Sequence, residues 1–80
     1  MEIDLADIPL SFESPESSSL AGASYDPDCR QLTVVFKDGK TYDYPGIEPQ
    51  MWVAFMEAGS KGGYFMWHIR PMFTGKKREE

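Results

Sequence analysis

Residues able to act as a base, a nucleophile or a metal ligand are scarce in this sequence. It contains one histidine, His68, and one cysteine, Cys29, and no pattern in the chain predicts that the two meet. Nucleophilic catalysis needs a base beside the nucleophile and a third group that orients the base. One histidine, one cysteine and scattered carboxylates also lack the ligand spacing of a zinc site. We therefore expect no enzyme activity, no metal and no cofactor, and no small-molecule substrate is evident.

Two local patterns resemble reactive sites without meeting their requirements. The run Gly59-Ser-Lys-Gly-Gly63 looks like a phosphate-binding loop, but it joins two predicted helices and does not follow a strand. Arg30 follows Cys29 directly and could lower the pKa of its thiol, which is a condition for reactivity. An incidental cysteine is the simpler interpretation.

Residues suited to binding are more conspicuous, because aromatic and basic side chains alternate through residues 60–78, a stretch without an acid. Rings that stack on bases, together with cations that contact phosphates, are typical of proteins that bind single-stranded nucleic acid. We expect Phe65, Ile69 and Phe73 to lie in the core. The candidate binding residues are then Tyr64, Met66, Trp67, His68 and Arg70, together with Lys61, Lys76, Lys77 and Arg78.

Two tyrosines on a predicted strand have two possible roles. Tyr42 and Tyr44 share one strand face, where their rings could stack on bases as in sheet-based RNA readers. Alternatively, both rings cover the hydrophobic core and leave their hydroxyls at its edge. The core interpretation is favoured by the strand pairing described next.

The elements that position these residues begin with three strands. Residues 31–36 alternate β-branched and aromatic side chains with polar ones, which is typical of a strand. Turns at Asp26-Pro27-Asp28 and Lys37-Asp38-Gly39 separate it from its neighbours. The predicted antiparallel strands are residues 19–25, 31–36 and 40–44.

The second turn sets which residues face each other across the strands. A three-residue turn with Gly39 as a left-handed bulge pairs Tyr42 with Val34 and Tyr44 with Leu32. A two-residue turn would pair each tyrosine with the next residue along the opposite strand. We predict the bulged turn, because it collects the apolar side chains on one face.

Two helices are predicted after the strands. Pro49 suits the first position of a helix and Gly59 suits its end. Ser60 could cap a second short helix that finishes near Arg70, because Pro71 disfavours helical geometry in the residue before it. An apolar stripe on the first helix is formed by Trp52, Phe55 and Met56. The predicted fold is therefore α+β, a three-stranded meander followed by one helix and a second short helix, with Trp52 in the core and Trp67 on the surface.

Both ends of the chain are set apart by charge. The net charge is −5, and residues 1–16 carry five acids without a base, interrupted by Pro9 and Pro15. We predict that residues 1–16 form an acidic arm, mobile or extended, although docking over the domain or onto a partner stays open. Residues 17–75 are the predicted domain, able to fold without the arm, and residues 76–80 a charged tail. Without an apolar run of membrane-spanning length or a signal-peptide pattern, we expect a cytoplasmic protein.

Short motifs follow one another through residues 17–73. They are Ser17-Ser18-Ser19-Leu20-Ala21, Tyr25-Asp26, Leu32-x-Val34-x-Phe36, Tyr42-x-Tyr44 and Ser60-x-Gly62-x-Tyr64-Phe65-x-x-x-Ile69-Arg70-x-x-Phe73. Their order and spacing resemble the KTSC domain, which is named for its place at the carboxyl end of some lysyl-tRNA synthetases and also occurs alone in bacterial and phage proteins. The resemblance implies that Tyr42, Tyr44, Ile69 and Arg70 occupy family-typical positions, and the synthetase context suggests RNA binding.

These observations predict a non-enzymatic binding module with one of two partners and no membrane contact. Nucleic acid would bind the aromatic and basic residues of 60–78. The alternative is a protein, for example a host protein inhibited by a phage or mobile-element accessory factor. Positions 66–68, commonly polar in the family, here read Met66-Trp67-His68, and an exposed Trp beside a Met is more typical of a protein interface. The acidic arm would then imitate phosphates towards a basic partner, whereas it would repel nucleic acid.

Overall fold

The computed structural model describes residues 8–15 and 17–78, which fold into one antiparallel sheet and two short helices. The sheet has five strands in chain order. Helix α1 is Pro49–Glu57, and α2, Lys61–Tyr64, continues directly into a π-helical segment, Phe65–Ile69. The strands are β1 Ser11–Glu13, β2 Leu20–Asp26, β3 Gln31–Phe36, β4 Thr41–Tyr44 and β5 Lys76–Lys77. The α+β class is confirmed, but the prediction of three strands is wrong, because β1 and β5 extend the sheet at its two edges.

The bulged turn between β3 and β4 is confirmed. Tyr42 lies opposite Val34 and Tyr44 opposite Leu32. The Phe36 amide donates to the Lys40 carbonyl at 2.9 Å, and Gly39 has a φ of 91°, in the left-handed region that glycine adopts without strain. Leu32, Val34 and Tyr44 are consequently all buried against the helices.

Both additional strands come from segments that the sequence analysis placed outside the domain. Strand β1 lies within the acidic arm and pairs with β2, with Phe12 opposite Ala23. Strand β5 lies within the predicted tail and pairs with β4. Edge strands of three and two residues are too short to show an alternating pattern, and they add to a sheet edge that already exists. Residues 8–15 of the acidic arm are therefore docked on the domain, which is the alternative that the sequence analysis left open. Residues 1–7, 16, 79 and 80 lie outside the described part of the chain.

The centre of the core is a stack of three rings that includes one residue from the arm. Trp52 is fully buried, as predicted, and its ring stacks with the rings of Phe12 and Tyr25, both at 5.5 Å between ring centroids. The Trp52 indole donates its Nε1 hydrogen to the Pro9 carbonyl at 3.0 Å. The Tyr25 hydroxyl donates to the Ile47 carbonyl at 2.6 Å, so the polar atoms of both buried rings are satisfied.

The helical region begins and ends at the residues that the sequence indicated. Pro49 is the first residue of α1, and the Ser60 hydroxyl oxygen caps α2 by accepting from the Gly63 amide at 3.1 Å. In the π-helical segment the Arg70 amide donates to the Phe65 carbonyl, five residues back, at 2.9 Å. Pro71 has no amide hydrogen with which to continue an α-helix, which accounts for the helix stopping here. No helix in the described part of the chain is long and apolar enough to cross a membrane.

Candidate functional site

A cavity of about 570 Å³ lies where the connection from β1 to β2 meets the start of α2. We call it the serine cavity. Its described lining comes from two parts of the chain that are far apart in sequence, residues 14 and 17–19 and residues 59–67. The lining residues are Ser14, Ser17, Ser18, Ser19, Gly59, Ser60, Lys61, Gly62, Gly63, Met66 and Trp67.

The glycines of α2 leave space beside the serine hydroxyls that a β-carbon would fill. A β-carbon added at Gly62 would lie 3.1 Å from the Ser17 Oγ and 3.5 Å from the Ser19 Oγ. A β-carbon at Gly63 would lie 2.9 Å from the Ser60 Oγ. Any larger residue at either position would therefore reduce the space between the hydroxyls.

The serine hydroxyls differ in how their hydrogen bonds are used. The Ser17 oxygen accepts from the amides of Ser19 at 3.3 Å and Leu20 at 3.1 Å, and the Ser60 oxygen accepts from Gly63. Because both oxygens act as acceptors there, both hydroxyl hydrogens are left to donate elsewhere. Ser14 is only 1% exposed, and its Oγ has no hydrogen-bond partner among the described residues.

The rim of the serine cavity carries one cation and two exposed apolar side chains. Lys61 is the only charged residue among its described lining, and its ammonium donates to the Ala58 carbonyl at 2.6 Å. Trp67 is 77% exposed and Met66 is 47% exposed, which confirms the predicted surface position of Trp67. Both lie on the π-helical segment, a rare geometry that is frequent at functional sites.

A second depression of about 330 Å³ adjoins the serine cavity. We call it the aromatic groove. It shares Ser19 and Met66 with the serine cavity, so these two residues separate the depressions. The Arg70 guanidinium lies in this groove beside Met66, with its Nη1 at 3.5 Å from the Met66 sulfur. The other lining residues are Phe36, Asp38, Lys40, Tyr42, Tyr44 and Phe65.

The two candidate stacking tyrosines are largely occupied by the core. Tyr44 is buried and meets Phe65 edge to face at 5.4 Å between centroids, and Tyr42 meets Phe36 in the same way at 5.5 Å. Burial raises the pKa of Tyr44, although the charge of Arg70 opposes this rise. Tyr44 therefore presents no free ring face to a base, whereas Tyr42 is only partly buried and lines the aromatic groove.

The predicted cluster of three basic residues is divided between the two faces of the sheet. Lys77 lies opposite Tyr42, on the side of the aromatic groove, and Lys76 lies opposite Asp43. Successive residues of a strand point to opposite faces, so Lys76 and Arg78 face away from the groove. Arg78 forms two hydrogen bonds with the Asp43 carboxylate, at 2.6 and 3.1 Å. Of the three, only Lys77 is placed beside the groove.

Asp43 is held in its charged form by this pairing. Its carboxylate also accepts from the Thr33 hydroxyl at 2.7 Å. Partial burial by itself would raise the pKa of Asp43, but the hydrogen bonds from Thr33 and Arg78 and the charge of Arg78 outweigh it and lower the pKa. Arg78 therefore has a structural partner on the outer face of the sheet.

Tyr64 and His68 form a pair of their own, outside the described lining of both depressions. The Tyr64 ring stacks on Phe55 at 5.6 Å, and the His68 ring is 4.7 Å from Tyr64. The sequence analysis grouped these two residues with Trp67 as candidate binding residues. Trp67 lines the serine cavity, so the predicted binding residues fall into four places, which are the serine cavity, the aromatic groove, the Tyr64–His68 pair and the outer face of the sheet.

The single cysteine lacks the lowered pKa of a reactive thiol. Cys29 is exposed in the turn between β2 and β3. Local desolvation and a hydrogen bond with Asp26 raise the pKa of its thiol, which is the opposite of the lowering by Arg30 that the sequence analysis considered and set aside. Among the described residues, no three His, Cys, Asp or Glu side chains lie close enough to hold a metal ion.

Sequence reasoning missed the serines of the cavity and Lys40 of the aromatic groove. Ser17-Ser18-Ser19 and the Gly59–Gly63 run were both noticed, but neither segment on its own predicts that they face each other. The missing information was β1, which pairs residues 11–13 with β2 and thereby brings the connection after it against α2.

Two of the comparisons with known proteins, the family model and the solved structure, name the same family. A family model described as the KTSC domain matches residues 16–73. An uncharacterized protein of Stutzerimonas stutzeri (strain A1501) is 38% identical over 56 residues, which is 70% of this chain and 79% of that protein. The crystal structure of a KTSC domain protein from Yersinia pestis superposes with a TM-score of 0.75 at 35% identity, and the match covers 86% of this chain and 99% of that one.

Proposed function

The chain belongs to the KTSC domain family, and from that premise we propose that it is a non-enzymatic module that binds single-stranded nucleic acid. The observation that supports this most is the continuity of the serine cavity with the aromatic groove across Met66. Together they form a path with an exposed indole at one end and cations along it. Paths of this kind, with rings for bases and cations for phosphates, suit a flexible single strand.

The charges along the path are mainly positive. Lys61 lines the serine cavity, Lys40 and Arg70 line the aromatic groove, and Lys77 lies opposite Tyr42 at its edge. Asp38 is the acid of the groove, and its carboxylate lies 3.8 Å from the Lys40 ammonium. Four cations could neutralise up to about four phosphates, which predicts a slope of log affinity against log salt of about −3 at most for a single strand.

A catalytic role has little support from these residues. The Cys29 thiol has a raised pKa, and His68 is packed on Tyr64 away from either depression. Neither arrangement activates a nucleophile or presents a base to a substrate.

Two adjacent lysines on opposite faces of β5 provide a matched test. Fluorescence anisotropy with a labelled oligouridine is measured over a range of NaCl concentrations for Lys77→Gln and Lys76→Gln. We expect Lys77→Gln to weaken binding and flatten the salt slope by about 0.7, because it removes one phosphate contact. Lys76→Gln removes the same charge from the outer face and should change little. No binding at low salt, or equal effects of the two substitutions, would contradict the proposal.

Trp67 tests the stacking part of the proposal separately from the charges. Trp67→Ala should weaken binding by about 1–3 kcal/mol and leave the salt slope unchanged, because stacking on a base displaces no counterions. Met72→Ala is the control, since Met72 is 73% exposed on the same part of the chain but lines neither depression among the described residues.

The acids at the start of the chain provide a third test, because they repel phosphates at long range. Replacing Glu2, Asp4 and Asp7 with Gln and Asn keeps the docked residues 8–15 intact. We expect this change to strengthen binding at low salt and to have little effect at high salt, where charges are screened. Unchanged or weaker oligouridine binding at low salt after the change would contradict this long-range repulsion.

A protein partner is the second candidate, and the exposed apolar side chains favour it. Met66, Trp67 and Met72 are 47%, 77% and 73% exposed, and Met and Trp are enriched at protein interfaces. The apolar part of such an interface would depend on Trp67 and would respond weakly to salt, whereas contacts of the acidic arm with a basic partner would be screened by salt. Absence of any RNA or DNA complex at low salt would leave this candidate, including a host protein inhibited by a phage or mobile-element factor.

A further inference from the structure

We propose that the aromatic groove binds one guanine base of the single strand, with Arg70 at the acceptor edge of the base and Asp38 at its donor edge. This inference rests on the proposed function and names the base that the groove selects. The observations behind it are a guanidinium and a carboxylate that line one groove together with partly buried aromatic rings.

The groove has the size and the surface that a planar base needs. Its volume of about 330 Å³ is at the small end of the range of ligand sites, so it suits one base and not a longer stretch of strand. Phe36 and Tyr42 line it, are only partly buried and meet edge to face at 5.5 Å between centroids. Stacking on such rings does not distinguish one base from another, so selectivity depends on the polar groups of the groove.

Arg70 is the group best suited to the acceptor edge of a base. Its guanidinium has five N–H donors in a planar fork. The Nη1 lies 3.5 Å from the sulfur of Met66, four residues earlier, and a thioether sulfur is only a weak acceptor, so this contact leaves the fork available to a ligand. Guanine presents two acceptors, O6 and N7, and arginine bound to this pair is the commonest specific contact of a side chain with a base.

Asp38 provides the complementary acceptor in the same groove. Its Oδ1 accepts from the Lys40 amide at 2.9 Å, and its Oδ2 lies 3.8 Å from the Lys40 ammonium. A carboxylate has about four acceptor sites, so these two contacts leave capacity for a ligand. The Watson–Crick edge of guanine carries two donors, the N1 hydrogen and the N2 amino group, and single-stranded bases are read on this edge.

The other three bases match this pair of groups less well. Adenine has an amino donor at N6, where guanine has the O6 acceptor, and cytosine and uracil have no N7. Asparagine and glutamine, the side chains that match adenine, are absent from the described lining of the groove. With Arg70 on the base, Lys40, Lys61 and Lys77 remain for the phosphates.

Fluorescence anisotropy with labelled heptanucleotides measures the selectivity of the full chain. The central base is uracil, adenine, cytosine or guanine, and the flanking nucleotides are all uridines. We expect the guanine strand to bind about tenfold more tightly than the other three, the effect of one good bidentate contact. Replacing the guanine with 7-deazaguanine removes N7, and replacing it with hypoxanthine removes the N2 amino group. Each replacement should reduce the preference.

Two substitutions that remove the same charge from the same groove separate base recognition from phosphate contact. Arg70→Gln should abolish the preference for guanine, and 7-deazaguanine should then have no further effect. Lys40→Gln is the matched control, which should weaken binding of all four strands alike and keep the preference. Asp38→Asn retains an oxygen acceptor for the Lys40 amide, and it should abolish the difference between guanine and hypoxanthine. All three residues are exposed, so we expect the variants to remain folded.

The outcomes separate this inference from the proposed function. If the uracil strand binds and guanine brings no advantage, or if the advantage persists in Arg70→Gln, the guanine site is wrong and the nucleic-acid function stands. Equal loss of the preference in Lys40→Gln would also overturn the assignment to Arg70. If none of the strands binds at low salt, both proposals are wrong.

Discussion

Phe12→Ala tests whether the docked part of the acidic arm is required for stability. Phe12 lies on strand β1, stacks on Trp52 at 5.5 Å and meets Phe55 edge to face at 5.1 Å. The Lys61 ammonium lies 5.7 Å from its centroid. If β1 is part of the core, removing this ring should destabilise the fold by far more than an ordinary surface substitution does.

The expected magnitude follows from the burial of the ring. A fully buried Phe→Ala substitution costs about 3–5 kcal/mol, and Phe12 is partly buried, so we expect about 2–3 kcal/mol. The two aromatic contacts of Phe12 stabilise the fold beyond the burial of apolar area, so the destabilisation should exceed the value expected from lost buried area alone. A domain of this length has a total stability of about 4–12 kcal/mol, so the loss is a large fraction of it.

Urea unfolding, followed by far-ultraviolet circular dichroism, measures the effect. With a denaturant slope of about 1 kcal/mol per molar, the midpoint of Phe12→Ala should fall by about 2 M or more. Leu10→Ala is the control on the same segment, because Leu10 is exposed and should cost less than about 1 kcal/mol. Equal small effects of the two substitutions would refute the docking of β1 and restore a domain that begins at residue 17.

Three further predictions concern Gly22, Asp43 and the two tryptophans. In Gly22→Ala the new β-carbon would lie 2.5 Å from the Phe12 carbonyl oxygen. We therefore expect the free energy of unfolding to fall by about 1–3 kcal/mol and the amides of residues 11–13 to lose protection from hydrogen exchange. Unchanged protection of these amides would contradict this prediction. The lowered pKa of Asp43 means that its stabilising pairing with Arg78 is complete above its ordinary pKa of 3.8 and is lost as the pH falls through the lower folded value. The stability difference between the natural protein and Asp43→Asn, measured by urea unfolding, should therefore narrow below about pH 4, and a constant difference would exclude this linkage. Iodide should quench the fluorescence of Trp67 and leave buried Trp52 unaffected in the native state, as single-tryptophan variants would verify.

The centre of the fold could be predicted from the sequence because local and global signals agree there. Gly39 permits the left-handed turn, and the bulged register that follows gathers Leu32, Val34 and Tyr44 on one face. The same agreement identified Trp52 as a core residue. Burial decides between two registers when one of them has a coherent apolar face.

The edges of the sheet could not be predicted, for a physical reason. Strands β1 and β5 have three and two residues, so neither is long enough to display a period of two. Their pairing depends on the exposed edges of β2 and β4, which exist only after the central strands have formed. Pro9 and Pro15 lie on either side of β1, so they limit its length without preventing it.

Because the sequence analysis did not predict β5, it assigned all three basic residues of this segment to one binding surface. In sequence, Lys76, Lys77 and Arg78 are one basic cluster, but a strand turns neighbouring side chains to opposite faces. The partner of Arg78, Asp43, is 35 residues away and is joined to it by the pairing of β4 with β5. A run of basic residues therefore predicts the charge of one surface only when the backbone conformation of the run is known.

Strand β1 links stability to the candidate site. Phe12 completes the ring stack around Trp52, and Ser14, one residue beyond the end of β1, lines the serine cavity. Undocking β1 would therefore remove part of the core and one wall of the cavity together, so Phe12→Ala should weaken both folding and ligand binding. Trp67→Ala should weaken binding alone, because Trp67 lines the cavity with a side chain that is 77% exposed. Because only the second substitution leaves β1 in place, a loss of binding is evidence for stacking on the indole in Trp67→Ala and evidence for the architecture around the cavity in Phe12→Ala.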